Sequence, residues 1–449
     1  MKHEKNIPAE YHTHRVGEWL PHDHRAHKEW LAGVIDHVDQ NPKDLHPVVR
    51  EFKDLIENNT RVWLLFSSMF EQIPNKDPYK ADPRGTGAGH PTIRDHVHML
   101  RVINHLLTTA PSWNDKSERV GLVGLPFNAL FDWPMGTKSG FAVFLDPAVN
   151  AMLQKVLNAW AEFLSSPESA YVLKREARGS WFSPHGHDEL QYTANVGKTS
   201  YKFEEMFQCD PSDPHMGYKS WDHFFTRLFK EDVRPVASPD DDSVIANACE
   251  SKTFKVARDV NRRDKFWLKG QPYSVVDMLA QDPLAEQFVG GTVYQAFLSA
   301  LSYHRWHAPV SGKLVKAYVV DGTYYSEPLF EDFGPDQSAD PEGQVTSQGY
   351  LTATATRAIM FFEADNPDIG LMAFLGIGMC EVSTCDVTVK EGQHVKKGDE
   401  IGMFHFGGST HCLMFRKGVE VEGFPELQPE HNVAVRSELA RVKSKSKSK

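Results

Sequence analysis

Cysteine is scarce in this chain: Cys209, Cys249, Cys380, Cys385 and Cys412 are the only five, an odd number with no CxxC spacing. That excludes a disulfide framework and a structural zinc knuckle, and it points to a reducing, cytoplasmic setting. Long apolar runs are missing too. The most continuous one, "IGLMAFLGIGM" at 369–379, is broken by glycines and falls far short of the ~20 residues that cross a bilayer. The opening "MKHEKNIPAEYHTH" has no apolar centre of a secretory leader, so no stable membrane insertion is expected. Basic charge is in deficit, with 49 Lys and Arg against 60 Asp and Glu and a net charge of -11. Nothing in that balance calls for nucleic acid as a partner. The exception is the tail "RVKSKSKSK" at 441–449, whose alternating Lys and Ser cannot build a core and are expected to be solvated and disordered.

What is present is ordinary globular material, 449 residues with 41% hydrophobic content, long enough for two or three domains. The first part, 1–205, reads as a helical domain. "HPVVREFKDLIEN" and "IRDHVHMLRVINHLL" place apolar residues three and four apart. In "DPAVNAMLQKVLNAWAEFLSS" Asp146 can cap, Pro147 suits the first turn, and Val149, Met152, Val156, Trp160 and Leu164 share a face. Two stretches between these helices read as loops. "DPRGTGAGHPT" lacks the strand and Lys of a phosphate cradle, and "GLPFNALFDWPMGTKSGFAVF" is rich in aromatics and Gly, a candidate lid.

The texture changes after residue 190. "GYKSWDHFFTRLFKEDVRPV" reads as a helix capped by Ser220, with Trp221, Phe224, Phe225 and Leu228 on one face and Arg234-Pro235 ending it. Short β-like runs follow: "KTFKVARDV", "GKLVKAYVV", "ATRAIMFFEA", "LMAFLGIGM" and "CDVTVKEG". The expected class is α+β, a helical part followed by a mainly β domain over 206–440. "VTVKEGQHVKKGDEIGMF" has the pattern of a barrel-sandwich hairpin, as in lipoyl carriers, with Lys396 and Lys397 near its tip. A binding module that carries no chemistry of its own therefore stands as an alternative. Imidazoles two apart in "HTH", "HDH" and "HGHDE" (His185, His187, Asp188) lack a further placed ligand, so they are read as solvated loop histidines and no metal is expected there.

Three segments hold groups that could act together: His304 and His307 in "SYHRWHAPVSG", Glu250 in "IANACESKTF", and Gly408-Ser409 in "HFGGST". With "GYKSWDHFFTRLFKEDVRP" upstream, they resemble the signature regions of the phosphatidylserine decarboxylase family, in order, over about 214–433. The resemblance implies a proenzyme that cuts itself between Gly408 and Ser409. His307 would be the base that takes the Ser409 proton, and the Ser409 oxygen attacks the Gly408 carbonyl to convert the amide to an ester. β-Elimination then breaks the chain, and the dehydroalanine left behind hydrolyses to a covalent pyruvoyl group derived from Ser409. That ketone condenses with a substrate amine, and the imine accepts electrons as carbon dioxide leaves. The resemblance assigns His304 to decarboxylation, as proton donor. It puts Glu250 where most of the family has the Asp that orients the base. The two cleaved chains are expected to stay together.

"ACES", "YHRWHAPV", "EVSTC" and "FHFGGS", behind a polar helical first part, are similar to the phosphatidylserine decarboxylase-like L-tryptophan decarboxylases of the psilocybin pathway type. This implies a small aromatic amino acid as substrate, with tryptophan first and Trp306 a candidate pocket wall. Phosphatidylserine decarboxylation to phosphatidylethanolamine is the alternative within the family.

Overall fold

A computed structural model describes residues 24–72, 93, 95–113, 125–175, 179–264, 273–326, 348–381, 384–427 and 429–444. The "HTH" and "DPRGTGAGHPT" stretches and residues 445–449 lie outside them. The chain is α+β. Among the described residues eight α-helices come first: α1 (His24–Gln40), α2 (Pro47–Asn58), α3 (Thr60–Glu71), α4 (His96–Leu106), α5 (Pro126–Met135), α6 (Lys138–Leu145), α7 (Pro147–Ser165) and α8 (Pro184–Asn195). Their ends follow from local chemistry. The Asp146 carboxylate accepts from the N–H groups of Ala148 and Val149 at 2.9 and 3.3 Å, two donors that the first turn of α7 leaves open. The face expected from spacing is buried, with Leu153 and Leu157 widening it.

Three sequence expectations need correction here. The aromatic stretch after Gly124 is a helical pair, α5 and α6, in which Thr137 caps the second helix through Gly140 N–H at 2.9 Å. Phe131 and Phe144 are buried against Tyr325, with ring centroids 4.8 and 6.1 Å away. The segment is core, not a lid. "HGHDE" forms the first turns of α8 and is not a loop. The helix after Ser220 is short, α10 (Trp221–Phe225), following α9 (Phe203–Met206). It stops at Thr226, and Leu228 is exposed rather than on the buried face. The fully buried Arg227 explains the stop, since its guanidinium bonds the carbonyls of Phe224, Leu301 and Ser302 and draws the chain toward the β half.

Strands β1 (Val244–Ala246), β2 (Lys252–Arg258), β3 (Thr292–Leu298), β4 (Arg305–His307), β5 (Gly312–Val320), β6 (Arg357–Ala364) and β7 (Leu371–Gly378) are followed by β8 (Thr384–Val387), β9 (His394–Val395), β10 (Glu400–His405), β11 (Ser409–Phe415), β12 (Val421–Glu422) and β13 (Glu438–Val442). A seven-stranded sheet runs β2-β3-β11-β7-β6-β5-β9, and two three-stranded sheets run β4-β10-β8 and β1-β13-β12. Strand β13 carries the fold two residues into the stretch read as a basic tail, because Leu439, Ala440 and Val442 are buried.

Alternation gives the large sheet two apolar faces. Tyr294, Met360, Phe374 and Leu413 point into the β layers, while Val293, Phe361, Leu375, Cys412 and Met414 face the helices. The helical part therefore shares one continuous core with the sheet. Trp306 is wedged between β layers, and a Cβ on Gly402 would lie 2.5 Å from its ring and one on Gly376 2.8 Å. Those glycines are there for close approach, and Trp306 is packing in this fold.

Candidate active site

Ser409 opens β11, in register with Leu298 at the end of β3 and Gly378 at the end of β7. Its hydroxyl is fully buried and makes no hydrogen bond. Three residues connect β10 to this position, and the first, Phe406, is held at φ 72°. For a bulky side chain that left-handed backbone costs about 1–2 kcal/mol. It persists because Phe406 packs on Trp160 at 6.2 Å and because His405 is paired with Asp222 at 2.8 Å. Strain thus sits just before the Gly408–Ser409 bond.

On one flank, the chain beyond Leu298 brings back His304. Its Nε2 bonds the Ser299 carbonyl at 3.1 Å, one residue past the partner of Ser409, and its ring stacks on Phe225 at 3.8 Å. Burial, with the Arg227 cation nearby, pushes its pKa well below the usual imidazole value. His307 is at the far end of β4. Its Nδ1 lies 2.9 Å from the Gly398 carbonyl and 3.2 Å from Arg436 Nε, while Nε2 lies 3.0 Å from the Tyr303 hydroxyl. One nitrogen cannot donate to the carbonyl and accept from the guanidinium together. Arg436 Nε has Gly398 O at 2.9 Å as its own acceptor, so we assign the proton to Nδ1. The bare Nε2 then accepts from Tyr303. Burial first, and then the Arg436 charge, lower His307 to about 3, leaving a neutral imidazole with a lone pair.

Glu250 is fully buried and makes no hydrogen bond with His307. Arg234 holds it in two-pronged fashion at 2.8 and 2.6 Å, and Val435 N–H donates to it at 3.0 Å. Removing one partner of such a pair strands a buried charge, which costs several kcal/mol. The pair pins the segment whose next residue, Arg436, reaches over His307. The structure therefore sets His307 and Glu250 in one neighbourhood through Arg436, and it leaves the Ser409 hydroxyl bonded to neither histidine. The two histidines sit on different supports, and the pairing of β4 with β10 shifts register between Glu400 and Gly402.

The other flank was not legible in the sequence. Three residues past Gly378, Glu381 is buried completely, and one of its oxygens accepts from Asn128 N–H at 2.7 Å at the start of α5. Burial raises its carboxyl to about 8 against the pull of backbone N–H groups. Tyr303, Arg234 and Arg436 were also missed. Tyr303 carries a weak signal, four residues before His307; the others carry none.

These buried groups set a pH dependence. His304, His307 and His411 have lowered values, the last two about 3, so they bind protons only once unfolded and cost stability as pH falls through 6.5. Glu381 is raised from 4.5 to about 8, so its contribution is lost as pH rises through that window. Three imidazoles outweigh one carboxyl on the acid side, which places the stability maximum at about pH 7. Denaturant melts of uncut protein at pH 5, 7 and 9 are expected to give the highest midpoint at 7, and Glu381→Gln to flatten the fall between 7 and 9 and to steepen the rise between 5 and 7.

Among the described residues no cluster of three His, Cys, Asp or Glu is placed to hold a metal, and no helix is long and apolar enough to cross a membrane. Lys397 is buried with its ammonium on the carbonyls of Ser238, Asp241 and Val244, so it is an anchor rather than a carrier lysine. Lys396 is exposed at the turn.

Two family profiles, both described as phosphatidylserine decarboxylase, match residues 46–190 and 221–441. Decarboxylase iboD of Amanita muscaria (strain Koide BX008) is 45% identical over 329 residues, 71% of this chain and 91% of that protein. An L-tryptophan decarboxylase of Psilocybe cubensis is 34% identical over 417 residues, 90% of this chain and 89% of the relative. The chain belongs to the phosphatidylserine decarboxylase family. It is a carboxy-lyase, and the family match extends over much of its helical half. Phosphatidylserine decarboxylase proenzyme 2 of Oryza sativa subsp. japonica is 26% identical over 325 residues, 72% of this chain and 45% of its own length.

Proposed function

We propose that this chain is a self-processing, pyruvoyl-dependent decarboxylase of an aromatic L-amino acid, converting L-tryptophan to tryptamine and carbon dioxide. The observation that carries the reading is Ser409, a buried hydroxyl without a partner that follows two glycines and a strained Phe406 at the head of a central strand. A pyruvoyl group fits there, since the position is dry and flanked by groups that are neutral near pH 7. Once formed, it supplies a carbonyl for the substrate amine and a sink for the electrons that carbon dioxide leaves behind.

The chain's own residues do the rest. His307, bare at Nε2, takes the Ser409 proton after the Tyr303 hydroxyl gives way or passes the proton on. The Gly408 carbonyl is open to attack with no Cβ before it. Glu250 acts through Arg234 and Val435, fixing the segment from which Arg436 holds His307. His304, on the Ser299 side of the new terminus, delivers the proton that replaces carbon dioxide. The pieces stay joined because β11 is paired along its whole length with β3 and β7, and β13 of the same piece pairs with β1.

The substrate named for the Psilocybe cubensis relative favours the amino acid. Carbon dioxide release from tryptophan, phenylalanine, tyrosine and phosphatidylserine vesicles, measured side by side on the purified protein, tests it. Tryptophan is expected to lead by at least about tenfold in kcat/KM over the other two amino acids. Release from phosphatidylserine alone overturns the substrate assignment.

A further inference from the structure

The head of β11 has two flanks, and the one beyond β7 carries polar groups that the proposed chemistry does not use. Glu381 lies three residues past the partner of Ser409, within about 11 Å of it along the chain. Its acceptor bond goes to Asn128 N–H, and its second oxygen, Oε2, is buried with no hydrogen-bond partner. One turn further along α5, on the same face, Phe131 packs against Tyr325, whose buried hydroxyl is also unpartnered. The carboxyl and the phenol are close enough to influence each other electrostatically. Phe144 packs on Tyr325 at 6.1 Å, and from Phe127, next to Asn128, aromatic contacts run on to Trp160 at 5.1 Å and from Trp160 to Phe406 at 6.2 Å.

Capping α5 explains one oxygen of Glu381. It does not explain the other, nor why the Tyr325 phenol is left unsatisfied, since a buried polar atom that nothing meets is destabilising. Aromatic walls with a few convergent polar atoms are the usual make-up of a site for a flat heterocycle. The location fits: the Ser409 row continues across the sheet, Gly378 N–H donating to Thr356 O at 2.8 Å and Thr356 N–H to Thr323 O at 3.2 Å.

We infer that Glu381 Oε2, together with the Tyr325 hydroxyl, is a specificity subsite that takes the ring N–H of an aromatic heterocycle. This deepens, and rests on, the reading of the chain as an aromatic amino acid decarboxylase. An N–H aimed at Oε2 favours the ionised carboxylate, so the bond is charge-assisted and the subsite rejects a ring without the donor. Burial already holds the carboxyl near 8, where ligand contact can tip it.

Two measurements separate this inference from the reading beneath it. The first is calorimetric binding of indole and of 1-methylindole to the purified protein, which needs no turnover. Indole is expected to bind at least tenfold more tightly, and Glu381→Gln and Tyr325→Phe to bring the two within about threefold. The second is kcat/KM for tryptophan against 1-methyltryptophan. A preference near 100-fold is expected in the native protein and its collapse in Glu381→Gln, with cleavage unchanged by intact mass. Equal binding of the two indoles, or a variant that weakens both ligands alike as a lost helix cap would, overturns the subsite. Selective indole binding without release of carbon dioxide from tryptophan keeps the subsite and sinks the substrate assignment instead.

Discussion

Ser409→Ala is expected to give a single uncut chain with no measurable decarboxylation, a fall of ~10⁶-fold or to the detection limit. In the proposed mechanism one residue serves twice: its Oγ is the nucleophile that breaks the chain and leaves on the Gly408 carboxylate, and its carbon skeleton becomes the reacting group. The structure adds a control that sequence alone could not offer. The Ser409 Oγ makes no hydrogen bond, and its strand is held by backbone pairing to β3 and β7. Losing the hydroxyl removes a buried unsatisfied group, so the melting midpoint is expected to stay the same or rise. Intact mass and a thermal melt on one sample decide it. A cut, active Ser409→Ala protein would refute the mechanism. A chain that stays whole in the unaltered protein and still decarboxylates would refute it as well.

Legibility in the sequence tracked how local the determining physics was. The cap at Asp146 and the face of α7 are local, and so are the five β-like runs that became β2, β5, β6, β7 and β8. The aromatic stretch at 124–144 looked like a loop because its glycines and proline interrupt the apolar period, yet Thr137 restarts a helix and Tyr325, far along the chain, makes its aromatics core. Leu228 failed for the opposite reason, since periodicity extended a helix that the buried Arg227 terminates. At the site, Ser409, His304 and His307 stood out through a family resemblance rather than through spacing. What orients them was hidden. Glu250 reaches its neighbours by way of Arg234 and Val435, and the supports of His307 come from residues 303, 398 and 436. No sequence window contains such a set, because sheet pairing assembles it. Glu381 is the extreme case, an isolated carboxylate in "EVSTC" whose burial only the fold creates.

His307→Ala and His304→Asn are expected to fail at different steps. Without the His307 imidazole nothing placed by Arg436 and Tyr303 can take the Ser409 proton, and cleavage should slow ~10²–10⁴-fold, the usual worth of a positioned base. Because the imidazole sits at about 3 in the fold, it is neutral at working pH, and the cleavage of the unaltered chain should vary little between pH 6 and 8. His304→Asn keeps a donor for the Ser299 carbonyl and gives up only the ring that stacks on Phe225. Cleavage should therefore proceed nearly as before, while carbon dioxide release from tryptophan falls by ~10²-fold or more, since a proton is needed at the substrate only after the reacting group exists. Burial complicates the role in an instructive way. An imidazole held well below its ordinary value carries no spare proton at rest, so it can donate only from Nε2–H or after being charged by the incoming substrate ammonium. Gel analysis of chain cutting and a product assay on the same two variants give the answer. Normal turnover by His304→Asn would move proton delivery to the opposite flank, where Glu381 is the buried acid, and normal cutting by His307→Ala would show that another group activates Ser409.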